Sequence, residues 1–86
     1  MRLAFDQNAF DDLAWWLAND TKKARRIASL IQEVAKTPFE GRGKPEPLKH
    51  ELSGFWSRRI DDAHRLVYTV SGDEIRIVAC RFHYSN

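Results

Sequence analysis

Residues 54–83, GFWSRRIDDAHRLVYTVSGDEIRIVACRFH, decide the fold. They hold runs rich in β-branched and aromatic residues, separated by Asp61-Asp62-Ala63 and Ser71-Gly72-Asp73. Such runs between turn residues read as strands, over 54–60, 65–70 and 74–83. Connections this short make an antiparallel meander. Side chains alternate between the two faces of a strand. In the first run Phe55, Ser57 and Arg59 share one face, and Trp56, Arg58 and Ile60 the other. In the second, Leu66, Tyr68 and Val70 form the apolar set opposite Arg65, Val67 and Thr69. In the third, Val78, Cys80 and Phe82 oppose Ile77, Ala79, Arg81 and His83. If Ile60 pairs with His64 across the turn, Arg59 faces Arg65 directly. Like charges opposite one another destabilise a sheet. Two guanidinium groups there make sense with an anion between them.

Toward the N-terminus, residues 39–51 keep no hydrophobic period. Gly41, Gly43, Pro45 and Pro47 mark an ordered but irregular loop. It is long for so small a chain, and loops of that kind are usually functional or mobile. It carries Glu46 between two prolines, with Lys44, Lys49 and His50 nearby.

Before the loop the period becomes helical. Ile27, Leu30, Ile31 and Val34 lie on one face of a helix over 22–36, which Thr37-Pro38 ends. Lys22, Lys23, Arg25 and Arg26 crowd its first turns, where cations oppose the helix dipole. They read as a solvated face or as a contact with a polyanion. Asn19-Asp20-Thr21 breaks and recaps the chain. An earlier helix runs to residue 18, with Phe10, Leu13 and Leu17 at i, i+3 and i+7. Trp15 and Trp16 point about 100° apart, so one flanks the core and the other covers a neighbour. Residues 2–6 read as a short strand, with Leu3 and Phe5 on one face and Asp6 as a helix cap.

These elements predict one α/β (α+β) two-layer domain over residues 1–86. A short N-terminal strand and two helices precede an antiparallel sheet covered by the helices on one face. The covered face is built from Leu66, Tyr68, Val70, Val78, Cys80 and Phe82. The other carries Arg59, Arg65, Arg81 and His83, with the Glu46 loop folding over one edge.

Composition agrees with a globular chain: 86 residues, 43% hydrophobic and 12% aromatic. A formal charge of +2 does not by itself imply a nucleic-acid partner. The local clusters of Lys and Arg have to carry that argument. One cysteine, Cys80, excludes an internal disulfide and sits in an apolar run as a small core residue. No run is long enough to span a membrane, and the start shows no signal-peptide pattern, so a cytoplasmic protein is expected.

A carboxylate, an imidazole and several cations are the parts needed to cleave RNA by acid–base chemistry. The 2′-hydroxyl needs a proton acceptor, the 5′-oxygen a donor, and the phosphorane-like transition state fixed positive charge. Glu46 can accept, His83 can donate and Arg65 can stabilise, with Lys49 and Arg59 on phosphates. His50 and His64 compete for the acid role. Arg59 and Arg65 can equally pair with Asp61, Asp62 or Glu51, in surface pairs that contribute little. The histidines and acids have no metal-ligand spacing, so neither metal nor cofactor is expected. GRGKPE lacks the spacing of a phosphate-binding glycine loop.

TPFEGRGKPEPLKHELSGFWSRRI, then HRLVY, then ACRFHY resemble the YoeB (Txe) family of bacterial type II toxins, within the RelE/ParE-like superfamily. The likeness spans nearly the whole chain. It implies the RelE-like microbial RNase fold and a ribosome-dependent endonuclease that cuts mRNA in the A site of the 70S ribosome. It also implies a neutralising YefM-type antitoxin and often a toxin homodimer. By the same resemblance, Glu46 of KPEPLKH is the general base and Arg65 of HRLVY the transition-state cation. His83 is the general acid, Tyr84 helps hold substrate, and Lys49 and Arg59 contact phosphates. Ser85-Asn86 follow the Tyr at which family members commonly end. Two other readings remain: a non-catalytic protein that blocks the ribosome, and a ParE-like topoisomerase inhibitor.

Overall fold

The computed structural model describes residues 1–82. Strand β1 (Arg2–Phe5) leads into helices α1 (Gln7–Asn19) and α2 (Thr21–Lys36). Four strands follow: β2 (Glu46–Pro47), β3 (Phe55–Arg59), β4 (Arg65–Ser71) and β5 (Glu74–Ala79). The sheet order is β1-β5-β4-β3-β2. β1 runs parallel to β5, and the other neighbours are antiparallel. The fold is α+β, with the helices on one face of a mixed sheet. The two-residue β2 did not stand out in the sequence. It pairs Glu46 with Ser57 and Pro47 with Trp56 at the sheet edge, where a proline costs no ladder bond.

α2 buries Ala24, Ile27, Leu30, Ile31 and Val34, the expected face. Asp20 caps it by accepting from the Lys23 N–H at 3.2 Å. α1 presents a different face from the expected one. Ala9, Asp12 and Trp16 are buried, while Phe10 and Leu17 are 58% exposed. Both sets recur at i, i+3 and i+7, so periodicity cannot separate them. Two long-range hydrogen bonds do. Trp16 Nε1 donates to the Cys80 carbonyl at 2.7 Å, and the Cys80 N–H donates to Asp12 Oδ2 at 3.0 Å. Burial pushes the Asp12 carboxyl above its usual value, against the opposing effect of that N–H. Asp6 precedes α1 without a side-chain cap and pairs instead with Arg76 at 3.0 Å.

The third long strand departs from simple alternation. Tyr68 pairs with Ile77 and Val67 with Ala79, so Val78 is an extra residue in the ladder. Ile75 and Ile77 therefore join Leu66 and Tyr68 under the helices, and Cys80 returns to that side. Val78 packs with Leu48, Val67 and Ala79 on the opposite face. β5 ends at Ala79, and Phe82 is 57% exposed rather than part of the core.

Candidate active site

Residues opposite one another across a ladder share a face. Glu46 lies opposite Ser57, Ser57 opposite Val67, and Arg59 opposite Arg65. Glu46 and the two arginines thus occupy the face away from the helices, in rows two residues apart. Diagonal neighbours on such a face are about 7–8 Å apart, within reach of long side chains. The expected turn register holds: the Ile60 N–H donates to the His64 carbonyl at 3.0 Å. Leu48 anchors the segment between Glu46 and Lys49. Its side chain is buried beside Val67 and Ala79, and its N–H donates to the Phe55 carbonyl at 2.9 Å. Glu46, Lys49 and Arg59 are exposed. His83 and Tyr84 lie outside the described residues.

Arg65 is nearly buried, at 9% exposure. Its Nη1 donates to the carbonyls of Asp61 at 2.7 Å, His64 at 3.0 Å and Asp62 at 3.4 Å. These carbonyls orient the guanidinium without cancelling its charge. Among the described residues, no carboxylate forms an ion pair with Arg59 or Arg65. The neighbouring Asp61 is occupied elsewhere: Oδ1 accepts from the N–H groups of Ala63 and His64, and Oδ2 pairs with Lys23 at 3.1 Å. Burial pushes the Asp61 carboxyl up, but these contacts outweigh it and hold the group below its usual value.

The basic start of α2 is partly structural. Besides the Lys23 pair, Arg26 donates to the carbonyls of Ile60 at 2.7 Å and Arg59 at 3.1 Å. Arg81 does not join the Arg59–Arg65 face. It follows β5 and stacks on the Trp15 ring of α1, 3.6 Å from the centroid. Of the rival histidines, His50 is exposed in a short 3-10 turn (His50–Leu52). His64 accepts at Nδ1 from the Phe82 N–H at 2.8 Å. Among the described residues, no group of three His, Cys, Asp or Glu side chains is placed to hold a metal ion.

Sequence reasoning missed the residue that ties the loop to the sheet. Arg58 is fully buried. It donates to Glu33 Oε1 at 2.9 Å, Tyr68 Oη at 3.2 Å, and the carbonyls of Thr37 at 2.6 Å, Glu40 at 2.9 Å and Arg42 at 3.3 Å. Tyr68 Oη donates in turn to the Pro38 carbonyl at 2.6 Å. One guanidinium thereby collects successive carbonyls of the loop and holds them on β3. Glu33 also accepts from Arg42, through its N–H and through Nε at 2.7 Å. Arg42, and then Arg58, hold the Glu33 carboxyl down to about 2. The loop closes so tightly that a Cβ on Gly41 (φ +125°) would overlap Glu33 Oε1. The available signal was strand parity, which places Arg58 among core residues, where an arginine needs a carboxylate.

The chain matches the model of the YoeB-like toxin of bacterial type II toxin-antitoxin systems over residues 5–84. It is 52% identical to the toxin YoeB of Escherichia coli strain K12 over 84 residues, covering 98% of this chain and all of the relative. A YoeB/ParE toxin from Agrobacterium tumefaciens superposes with a TM-score of 0.94 at 44% identity, over 98% of this chain and all of that one. The Staphylococcus aureus YoeB, solved as a dimer and in a heterotetrameric YoeB–YefM complex, is 41% identical over 98% of both chains, with TM-scores of 0.89 and 0.88. A family model matched over residues 5–84, with relatives of this identity and fold over 98% of the chain, leaves one assignment: the chain belongs to the YoeB family of type II toxin-antitoxin toxins.

Proposed function

We propose that this toxin is an endoribonuclease that cuts mRNA on the translating 70S ribosome and so stops translation. The observation that carries the reading is the β2-β3-β4 register. It gathers a carboxylate and two arginines on one face, with no carboxylate paired to either arginine among the described residues. In this reading Glu46 takes the proton of a 2′-hydroxyl. The 2′-oxygen attacks phosphorus, the bond from phosphorus to the 5′-oxygen breaks, and His83 protonates that oxygen. The products are a 2′,3′-cyclic phosphate and a 5′-hydroxyl. Arg65, held by turn carbonyls, faces the charge that builds on the phosphoryl oxygens. Lys49 and Arg59 hold flanking phosphates, and Tyr84 holds the substrate. Each acid or base contributes roughly 10²–10⁴-fold, and in-line placement of the 2′-hydroxyl adds to that. The chemistry calls for no metal or cofactor.

By analogy with the S. aureus protein, we assign this chain a YefM-type antitoxin and a homodimer as partners. An acidic antitoxin segment folding over Arg59 and Arg65 would remove the charge the reaction uses. Its place of action is the cytoplasm, with the ribosome. Among the described residues no helix is long and apolar enough to cross a membrane.

The test is primer extension on message from a purified translation system, with and without ribosomes. Wild type should cut only with ribosomes, while Glu46→Gln and His83→Gln bind ribosomes and leave the message intact. Cutting by both variants would overturn the assigned roles. Arrest of translation without cutting by wild type would indicate a non-catalytic blocker. Loss of topoisomerase supercoiling with messages intact would indicate the ParE-like activity.

A further inference from the structure

His64 is a rival for the acid role whose surroundings suit a different task. It sits in the connection between β3 and β4, and its Nδ1 accepts from the Phe82 N–H at 2.8 Å. The next residue completes the grip: the Arg65 N–H donates to the Phe82 carbonyl at 2.9 Å. Both backbone polar groups of Phe82 are thus held by consecutive residues of the HRLVY segment. A ring nitrogen that accepts carries no proton, so the imidazole is neutral with its proton on Nε2. Trp16 fixes the ring from the side, edge-on with centroids 4.8 Å apart. The same indole donates to the Cys80 carbonyl at 2.7 Å, so it orients the imidazole and holds the chain just before Phe82.

Phe82 itself shows why such a grip is needed. Its φ is +70°, in the left-handed region that a Cβ disfavours. A residue stays there only when its surroundings over-determine it. Apolar burial does not supply the restraint, because the side chain is 57% exposed. The two backbone hydrogen bonds supply it.

We propose that His64 is a positioning residue. Its Nδ1 holds Phe82 in the left-handed turn that sets where the chain delivers the following residue, His83. The Cα atoms of adjacent residues are about 3.8 Å apart, so a loosened Phe82 displaces the starting point of the acid directly. The turn that places Arg65 then also fixes the backbone of Phe82. The inference rests on the nuclease reading for its consequence, but not for the tether itself.

The experiment compares His64→Leu, which removes the acceptor at similar volume, with His64→Asn, whose Oδ1 can replace Nδ1. Three quantities are read: hydrogen exchange of the Phe82 amide, single-turnover cleavage on saturating ribosomes, and ribosome binding. The Leu variant should exchange the Phe82 amide at least about tenfold faster. It should also cleave about 10–100-fold more slowly, with binding little changed. The Asn variant should recover most of both losses. Unchanged Phe82 exchange in the Leu variant, or cleavage at the wild-type rate, overturns the proposal. So does equal loss of cleavage in both variants with the Phe82 amide still protected in the Asn variant, which would place His64 on the substrate. Nitrogen NMR of the wild-type imidazole needs no variant, and a proton found on Nδ1 of the free toxin refutes the tether. If wild type fails to cut at all, the nuclease reading fails, while amide exchange and the ring tautomer still decide the tether.

Discussion

Removing one oxygen atom, by Tyr68→Phe, tests how the loop is fastened to the sheet. Tyr68 is fully buried. Its hydroxyl donates to the Pro38 carbonyl at 2.6 Å and accepts from Arg58 Nε at 3.2 Å. Burial pushes the phenol above its usual value, against the opposing effect of Arg58, so it stays neutral at pH 7. A neutral hydrogen bond contributes about 0.5–1.5 kcal/mol and one to a charged group about 1.5–3 kcal/mol. Their sum is about 2–4.5 kcal/mol. The lower end applies, because Arg58 keeps Glu33 and three loop carbonyls, and Pro38 is only half-buried, within reach of water. The expected loss is about 2 kcal/mol, or about 8–16 °C in Tm for a domain of this size. Urea unfolding at fixed protein concentration reads it as a lower midpoint with an unchanged slope. A double-mutant cycle with Arg58→Met should show a coupling above about 0.5 kcal/mol. A loss below about 0.5 kcal/mol with the slope unchanged, or strict additivity in the cycle, would refute the view that Arg58 and Tyr68 act as one fastening.

The same fastening makes predictions at its other end. Gly41→Ala places a Cβ against Glu33 Oε1, whereas Gly72→Ala meets nothing within 4 Å, although both glycines have positive φ. The Gly72 change should cost about 1–2 kcal/mol and the Gly41 change clearly more in parallel melts; equal effects would remove the steric argument. Glu33 is held down to about 2 from 4.5, a lowered folded-state value. Its contribution is therefore complete above about pH 4.5 and fades as the pH falls toward about 2. The stability gap between wild type and Glu33→Gln should narrow over that window, and a gap independent of pH would contradict the assignment. Burial, with Asp12 nearby, pushes the Cys80 thiol up to about 12. A thiol reagent at pH 8 should label it only as fast as the chain unfolds, so rapid labelling of the native protein would show the core opening locally.

What the sequence revealed and what it hid divide along physical lines. The face of α2 was legible because its apolar stripe has no competing partner set. The Arg59–Arg65 pairing was legible because a short turn sets register locally, and the Ile60–His64 bond closes it at 3.0 Å. The face of α1 was not, because two stripes 100° apart fit the period equally. The choice between them rests on Cys80, 64 and 68 residues away from Trp16 and Asp12. The alternation of β5 failed for a related reason: a single extra residue, Val78, reverses parity and leaves no mark in composition. The sequence places Glu46 in a loop, and only pairing with the edge of β3 makes its segment a strand.

Arg58 and Arg59 show the point most sharply. They are adjacent and chemically identical, and alternation sends them to opposite faces. Arg58 is enclosed, with a carboxylate, a phenol and loop carbonyls satisfying it. Arg59 is exposed, opposite another arginine, with no carboxylate paired to it among the described residues. A buried cation needs neighbours that neutralise and hydrogen-bond it, so Arg58 organises the protein. Like charges opposite one another are unfavourable until an anion arrives, which supports the proposal that Arg59 and Arg65 meet a phosphate. Parity alone separates the structural arginine from the one proposed to bind. An alanine substitution at each should therefore differ in kind: loss of stability at Arg58, and loss of phosphate binding with stability kept at Arg59.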